Sequence, residues 1–312
     1  MLEPVAVRTP PACGWRRRGR LLAAALRPPA RPLAAELMAP RAGVASRSSR
    51  LVPEPVFVLS PIRAGSTLLR VLLNSHSQIR APHEMHLRTL HVTPAREFSA
   101  DVMADLGLDK DELEHLLWDR ILHLELQRSG KSVIVDKTPA NVLIWKRLRR
   151  AWPQARYLVL LRDPAAIVES VVSRRADGDR DAVVAGYARR LDAAREALPC
   201  LTIRYEDLTS DPAAVTQLVC AHVGVGWEPT MLEYGRFDHG TFRPFAGDWS
   251  EKIRSGSIQP ARVPPASALD DEQVRAIADR WGSAAAEARS GHIPDSGRSG
   301  IIALLPTLGN YA

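Results

Sequence analysis

Cysteine is scarce in this chain: Cys13, Cys200 and Cys220 are the only thiols in 312 residues. Their number is odd, and their spacing fits no metal-ligand set. A disulfide framework is not expected, and a reducing, cytoplasmic setting is. Long apolar runs are missing too, since none approaches the roughly 18 residues of a membrane-spanning helix. No internal repeat is visible. The body of the chain also lacks net charge, although the whole carries +7. Residues 1–50 hold ten Arg and two Glu, a balance of +8, which leaves about −1 for residues 51–312. A nucleic-acid-binding face is therefore not expected on the folded body.

What is there at the N-terminus is Arg, Ala and Pro. Arg16-Arg17-Arg18-Gly19-Arg20 precedes an apolar run, Leu21 to Leu26, which Arg27-Pro28-Pro29 cuts off. Six residues are too few for the core of an export signal. Residues 1–50 are expected to be a disordered extension, unless translation begins at Met38. One α/β domain is expected over residues 51–283, followed by a flexible tail at 284–312, where Ser290 to Gly300 is rich in Gly and Ser.

From Val56 onward, short apolar strands alternate with helical stretches. Strands are expected at 56–60, 132–135, 157–161 and 201–205. Helices are expected at 66–75, 109–128, 140–151, 164–175, 181–197, 212–223 and 270–282, with Asp109 and Asp211 as N-caps. Such alternation implies a mostly parallel sheet flanked by helices, with the ligand beyond the carboxyl ends of the strands. Arg63, Asp136-Lys137 and Arg162 each follow a strand and so converge on that edge.

The richest stretch is Val56-Phe57-Val58-Leu59-Ser60-Pro61-Ile62-Arg63-Ala64-Gly65-Ser66-Thr67-Leu68-Leu69-Arg70. It reads as strand, anion-binding loop and helix, with Leu68, Val71, Leu72 and Ser75 on one helical face. It is nearly a nucleotide-triphosphate loop, but the first Gly is absent and no Lys precedes Ser66. Arg63 supplies the charge instead. A second segment, Tyr157 to Leu161, reads as a buried parallel strand running into Arg162-Asp163-Pro164. Pro164 suits a first helical turn, and Ser170 lies about two turns along.

The two segments together resemble the phosphosulfate loop and the 3'-phosphate motif of sulfotransferases that use 3'-phosphoadenosine 5'-phosphosulfate (PAPS). That loop often reads Pro-x-Arg-Ser-Gly-[Ser/Thr]-Thr-Leu, and here Ala64 stands where Ser is usual. The resemblance covers roughly residues 55–282 and is most similar to bacterial, specialised-metabolism members. It implies a single P-loop-like α/β domain and PAPS as co-substrate, with no metal. Residues 63–68 would hold the 5'-phosphosulfate, and Arg162 and Ser170 the 3'-phosphate. Tyr205, in Ile203-Arg204-Tyr205-Glu206-Asp207-Leu208, would lie near the adenine. Ser255, Gly256 and Arg262 belong to a late stretch, Gly247 to Arg262, that would close over the nucleotide.

Sulfuryl transfer needs cations at the leaving oxygen and a base for the acceptor. Arg63 is one cation. Lys137, in Val135-Asp136-Lys137-Thr138-Pro139-Ala140-Asn141, resembles the family's acidic-Lys-[Ser/Thr]-Pro segment and is the second. The base candidate is Glu84, in Arg80-Ala81-Pro82-His83-Glu84-Met85-His86-Leu87, with His83 and His86 as rivals. Region 85–130 would shape a partly apolar acceptor pocket for a small-molecule or carrier-tethered hydroxyl or amine. An ATP-dependent small-molecule kinase, with Asp136 or Asp163 on Mg²⁺, and a non-catalytic nucleotide-binding scaffold are the competing readings.

Overall fold

A computed structural model describes residues 50–172, 182, 185–186, 189–190, 200–242, 250–262 and 272. Of the extension expected at 1–50, only Arg50 is described, and it belongs to the ordered body, donating to the Ala151 carbonyl at 2.9 Å; residues 1–49 and the tail at 284–312 lie outside the described residues. So do most of the helices expected at 181–197 and 270–282.

Five parallel strands form one sheet in the order β2-β3-β1-β4-β5. They are β1 (Val56–Leu59), β2 (Ile79–Arg80), β3 (Val133–Asp136), β4 (Arg156–Leu161) and β5 (Leu201–Arg204). Central β1 pairs with β3 through Val56 and Val135, and with β4 through Val58 and Leu158. Successive side chains alternate between the faces. Val56, Val58, Leu158 and Leu160 enter one core, with Leu69 and Leu72 of α1 (Ser66–Asn74) and Ile167 of α5 (Pro164–Val172). Phe57, Leu59 and Val159 enter the other, with Trp118 and Leu122 of α3 (Lys110–Ser129) and Leu148 of α4 (Trp145–Ala151). Both faces of the central strands are thus buried, which accounts for their continuous apolar runs.

Capping sets the helix boundaries. Asp109 accepts from the Glu112 backbone N–H at 2.8 Å, and Gly130 ends α3 in a left-handed conformation. Asp211 caps α7 (Pro212–Val223) through the Ala214 N–H at 3.0 Å. Each cap satisfies N–H groups that a helix start leaves open.

Three features depart from the expected elements. The helix expected at 140–151 is broken at Ile144 (φ −120°), and Pro139–Leu143 is a 3-10 turn. Asn141 in that turn donates to Asp136 at 2.8 Å, which ties the turn to the end of β3. Tyr205 opens a further helix, α6 (Tyr205–Ser210), instead of closing β5. Neither β2 nor α2 (Glu97–Asp105) was expected; α2 buries none of its residues, and β2 spans only two.

Candidate active site

The carboxyl ends of β1, β3, β4 and β5 open onto a cavity of about 800 Å³. The loop after β1 turns through Ala64, whose N–H donates to the Pro61 carbonyl at 3.3 Å. Arg63 (φ 68°) and Gly65 (φ 84°) both adopt left-handed backbone. At Gly65 this is enforced twice, because an added Cβ would lie 2.1 Å from Cδ2 of Tyr205. The ring can lie against the loop only because no side chain is there. Gly65 offers no side chain to cap α1. The N-terminus of α1, the positive end of the helix, thus meets the cavity without a side-chain cap, which suits an anion. Arg63, Gly65, Ser66, Thr67 and Leu68 line the cavity, whereas Ala64 is buried in the core beneath it.

The two phosphate-motif segments interlock. Arg63 Nε donates to Ser170 Oγ at 3.2 Å. Arg162 donates from an Nη to the Arg63 carbonyl at 2.9 Å. The Arg162 guanidinium also lies over the Tyr205 ring, 4.8 Å from its centroid. The Lys252 ammonium lies 5.7 Å from the same centroid. Three cations, one hydroxyl, one aromatic face and a helix N-terminus therefore share one wall. Such a wall suits a polyanion bearing an aromatic ring.

Across the cavity, Lys137 Nζ donates to Glu84 Oε1 at 2.5 Å. Lys137 is fully buried and, unlike Glu84, does not line the cavity, so it reaches the site only through that carboxylate; burial lowers its affinity for a proton, against the opposing pull of Glu84. Its neighbour Asp136 is also buried, and burial raises its pKa above the ordinary carboxylate value. Thr138 Oγ1 and Asn141 Nδ2 each donate to Asp136 at 2.8 Å and offset part of that rise. His86 Nε2 lies 3.6 Å from Glu84 Oε2, and His86 lines the cavity. Glu84 is the one carboxylate among the described lining residues. His83 faces elsewhere, edge-on to Phe242 with 5.8 Å between ring centroids.

The late stretch closes one side of the cavity through Ser250, Lys252, Ile253, Ser257 and Gln259, joined by Tyr234. The three residues singled out there in the sequence sit differently. Ser255 Oγ donates to the Lys252 carbonyl at 2.8 Å. Gly256 packs on the Gly235 backbone. Arg262 is 82% exposed and lies 3.8 Å from Glu169. None of the three lines the cavity. Tyr234, Lys252 and Ile62 do, and were not singled out. Lys252 lay within the quoted stretch, while Tyr234 sits in no motif.

A family model described as "Sulfotransferase family" matches residues 55–229. The chain belongs to the sulfotransferase family. Nodulation protein NoeE of Sinorhizobium fredii (strain NGR234) is 28% identical over 268 residues, covering 73% of this chain and 61% of that protein. Omega-hydroxy-beta-dihydromenaquinone-9 sulfotransferase Stf3 of Mycobacterium bovis is 30% identical over 198 residues, covering 55% of this chain and 47% of that protein. The chain thus spans about half to three-fifths of the length of these two relatives. A solved sulfotransferase domain from the curacin biosynthetic pathway is similar in fold, with a TM-score of 0.53 at 24% identity. That match covers 75% of this chain and 98% of the solved one. The parallel sheet with its β1–α1 loop is the P-loop-like fold these sulfotransferases share.

Proposed function

We propose that this sulfotransferase-family chain transfers a sulfuryl group from PAPS to a hydroxyl or amine of a small-molecule or carrier-tethered acceptor. The observation that carries this reading is the contact between Arg63 and Ser170. It joins the two phosphate-binding segments at the N-terminus of α1. The residues fit the co-substrate. Arg63 with the α1 N-terminus suits the 5'-phosphosulfate, Arg162 with Ser170 the 3'-phosphate, and the Tyr205 face with Lys252 the adenine. The bare Gly65 lets the Tyr205 ring lie directly against the loop, which brings the aromatic face next to the α1 N-terminus.

PAPS, when bound, supplies an activated sulfuryl group on a phosphate oxygen. Arg63 orients that end and balances the charge developing there. Glu84 takes the acceptor's proton at a carboxylate oxygen. Lys137, buried behind Glu84 and outside the cavity lining, orients that carboxylate and lends it a neighbouring positive charge. His86 stands beside Glu84 as a second polar contact. The cover residues around Lys252 and Ile253 exclude water, which protects the activated group from hydrolysis. Ile62, Pro139 and Ala140 give the acceptor side an apolar wall.

The kinase reading has weaker support. The position before Ser66 is Gly65, and both candidate Mg²⁺ ligands are engaged. Asp136 accepts from Thr138 and Asn141, and Asp163 caps α5 by accepting from the Ala166 N–H at 2.8 Å. No described helix is long and apolar enough to cross a membrane. Incubation with sulfur-labelled PAPS and a panel of alcohols, phenols and amines tests the activity. Label should move to an acceptor, and should not when Glu84→Gln replaces the parent protein. Label transfer from ATP instead would support the kinase.

A further inference from the structure

We propose that Asn74 and His239 are positioning residues that tie the nucleotide cover to the segment carrying Glu84. The inference rests on the nucleotide reading of the cavity. Neither residue lines that cavity, and both are buried. Asn74 is the last residue of α1. Its Oδ1 accepts from the Ala81 N–H at 3.1 Å, three residues before Glu84. Its Nδ2 lies 3.2 Å from His239 Nδ1 and 3.4 Å from the Asp238 carbonyl.

The tautomer of His239 follows from its other neighbour. His239 Nε2 lies 2.8 Å from the Tyr234 carbonyl, which can only accept. Nε2 therefore carries the proton and Nδ1 is the acceptor for Asn74. Burial lowers the proton affinity of His239, which favours this neutral form. The charged groups facing it are Arg70, Asp238 and Lys131. Arg70 reinforces the tie, donating from Nη1 to the carbonyls of both Ala81 (3.3 Å) and His239 (3.4 Å).

The path continues into the cover. Tyr234 Oη lies 2.9 Å from the Ser257 carbonyl and 3.2 Å from that of Ile253. Gly235 packs so tightly on Gly256 that an added Cβ would lie 2.7 Å from its backbone. Tyr234, Ile253 and Ser257 all line the cavity. One chain of buried polar contacts thus runs from Ile253 through Tyr234, His239 and Asn74 to Ala81. Buried groups of this kind cannot exchange partners for water without loss. Seating the cover on a nucleotide therefore holds the Glu84 segment in place.

Calorimetric titration with 3'-phosphoadenosine 5'-phosphate tests the tie on Asn74→Ala, Tyr234→Phe and the double variant. Each single change should weaken binding by roughly three- to tenfold, and the double should be little worse than the poorer single. Unchanged affinity in Asn74→Ala, or additive losses, would overturn the tie. Asn74→Asp adds a readout that packing alone would not move. One oxygen of its introduced carboxylate would keep the Ala81 N–H and Arg80 Nη1, which lies 3.4 Å from Asn74 Oδ1, at every pH tested, while the other would face the lone pair of neutral His239 Nδ1 until protonation of the ring converts that clash into an ion pair. Its affinity deficit relative to the parent should shrink as pH falls from about 8 to about 6. A pH-independent deficit would count against the pairing, and Asn74→Asp also serves if Asn74→Ala does not fold. Parent protein that binds no nucleotide would overturn the cavity reading as well, whereas normal parent binding with additive variants overturns the tie alone.

Discussion

Lys137 and Glu84 come from segments 53 residues apart and meet at 2.5 Å beside the end of β3. Lys137 is held by burial in the sheet edge, so Glu84 has little freedom to turn away. A carboxylate fixed in this way, with His86 on its other oxygen, is oriented for an incoming acceptor proton. Neither the Arg63 wall nor the cover supplies a carboxylate of its own to the cavity lining. In the proposed reaction the division of labour is therefore spatial, with binding cations on one side and the proposed proton acceptor on the other.

Glu84→Gln removes the proton acceptor while leaving the shape almost unchanged. Turnover should fall by on the order of a hundredfold or more, with nucleotide affinity nearly intact. Steady-state rates beside calorimetric binding of 3'-phosphoadenosine 5'-phosphate check this. Undiminished turnover would move the base role to His86, the histidine that lines the cavity.

Arg162→Ala should weaken PAPS and 3'-phosphoadenosine 5'-phosphate alike, by about ten- to a hundredfold, because both carry the 3'-phosphate. Loss of the guanidinium also removes the nearer of the two cations at the Tyr205 ring and leaves Lys252. Adenosine 5'-phosphosulfate, which lacks the 3'-phosphate, should bind parent and variant with much closer affinities. Competition titrations read the difference directly.

Gly65→Ala should be severe for two separable reasons. Its φ of 84° strains any L side chain, and its Cβ would overlap Tyr205. Together these should cost about 1–3 kcal/mol of stability and most nucleotide binding. Adding Tyr205→Ala should recover the steric part but not the backbone part. Denaturant melts of the single and double variants separate the two.

Burial lowers the folded-state pKa of Lys137 below the 10.5 it would have in the open chain. Between those two values the unfolded chain binds the proton and the folded protein does not. Stability contributed by this group therefore rises with pH through that window, and below it the buried charge is a cost. Activity should change in the opposite sense, since deprotonation removes the cation beside Glu84. The basic limb of the turnover profile should fall below pH 10.5, and Lys137→Met should abolish that limb along with most activity. A pH–rate profile and pH-dependent melts on the same samples check both signs.

Much of the architecture was readable because chemistry and position coincided in the sequence. Arg63, Lys137 and Arg162 each follow an apolar run, so a parallel sheet must bring them to one edge. Asp109 and Asp211 announced their helices through capping. The broken helix at Ile144 was hidden, because the turn before it is tied to β3 by a contact between Asn141 and Asp136 that only the folded chain makes. β2 is too short to show a period, and α2 buries nothing, so neither carries a pattern of core-facing residues. In the late stretch the region was legible but the individual residues were not. Without a period, nothing distinguished inward-facing Lys252 and Ser257 from Ser255 and exposed Arg262. Tyr234 joined the site through contacts with the Ile253 and Ser257 carbonyls, which no local motif announces.

The most direct measurement is calorimetric titration of the purified protein with 3'-phosphoadenosine 5'-phosphate, with AMP and ATP–Mg²⁺ as controls. A sulfotransferase site built on Arg63, Arg162 and Ser170 predicts micromolar binding that is lost when the 3'-phosphate is absent. No binding, or a preference for ATP with Mg²⁺, would contradict it.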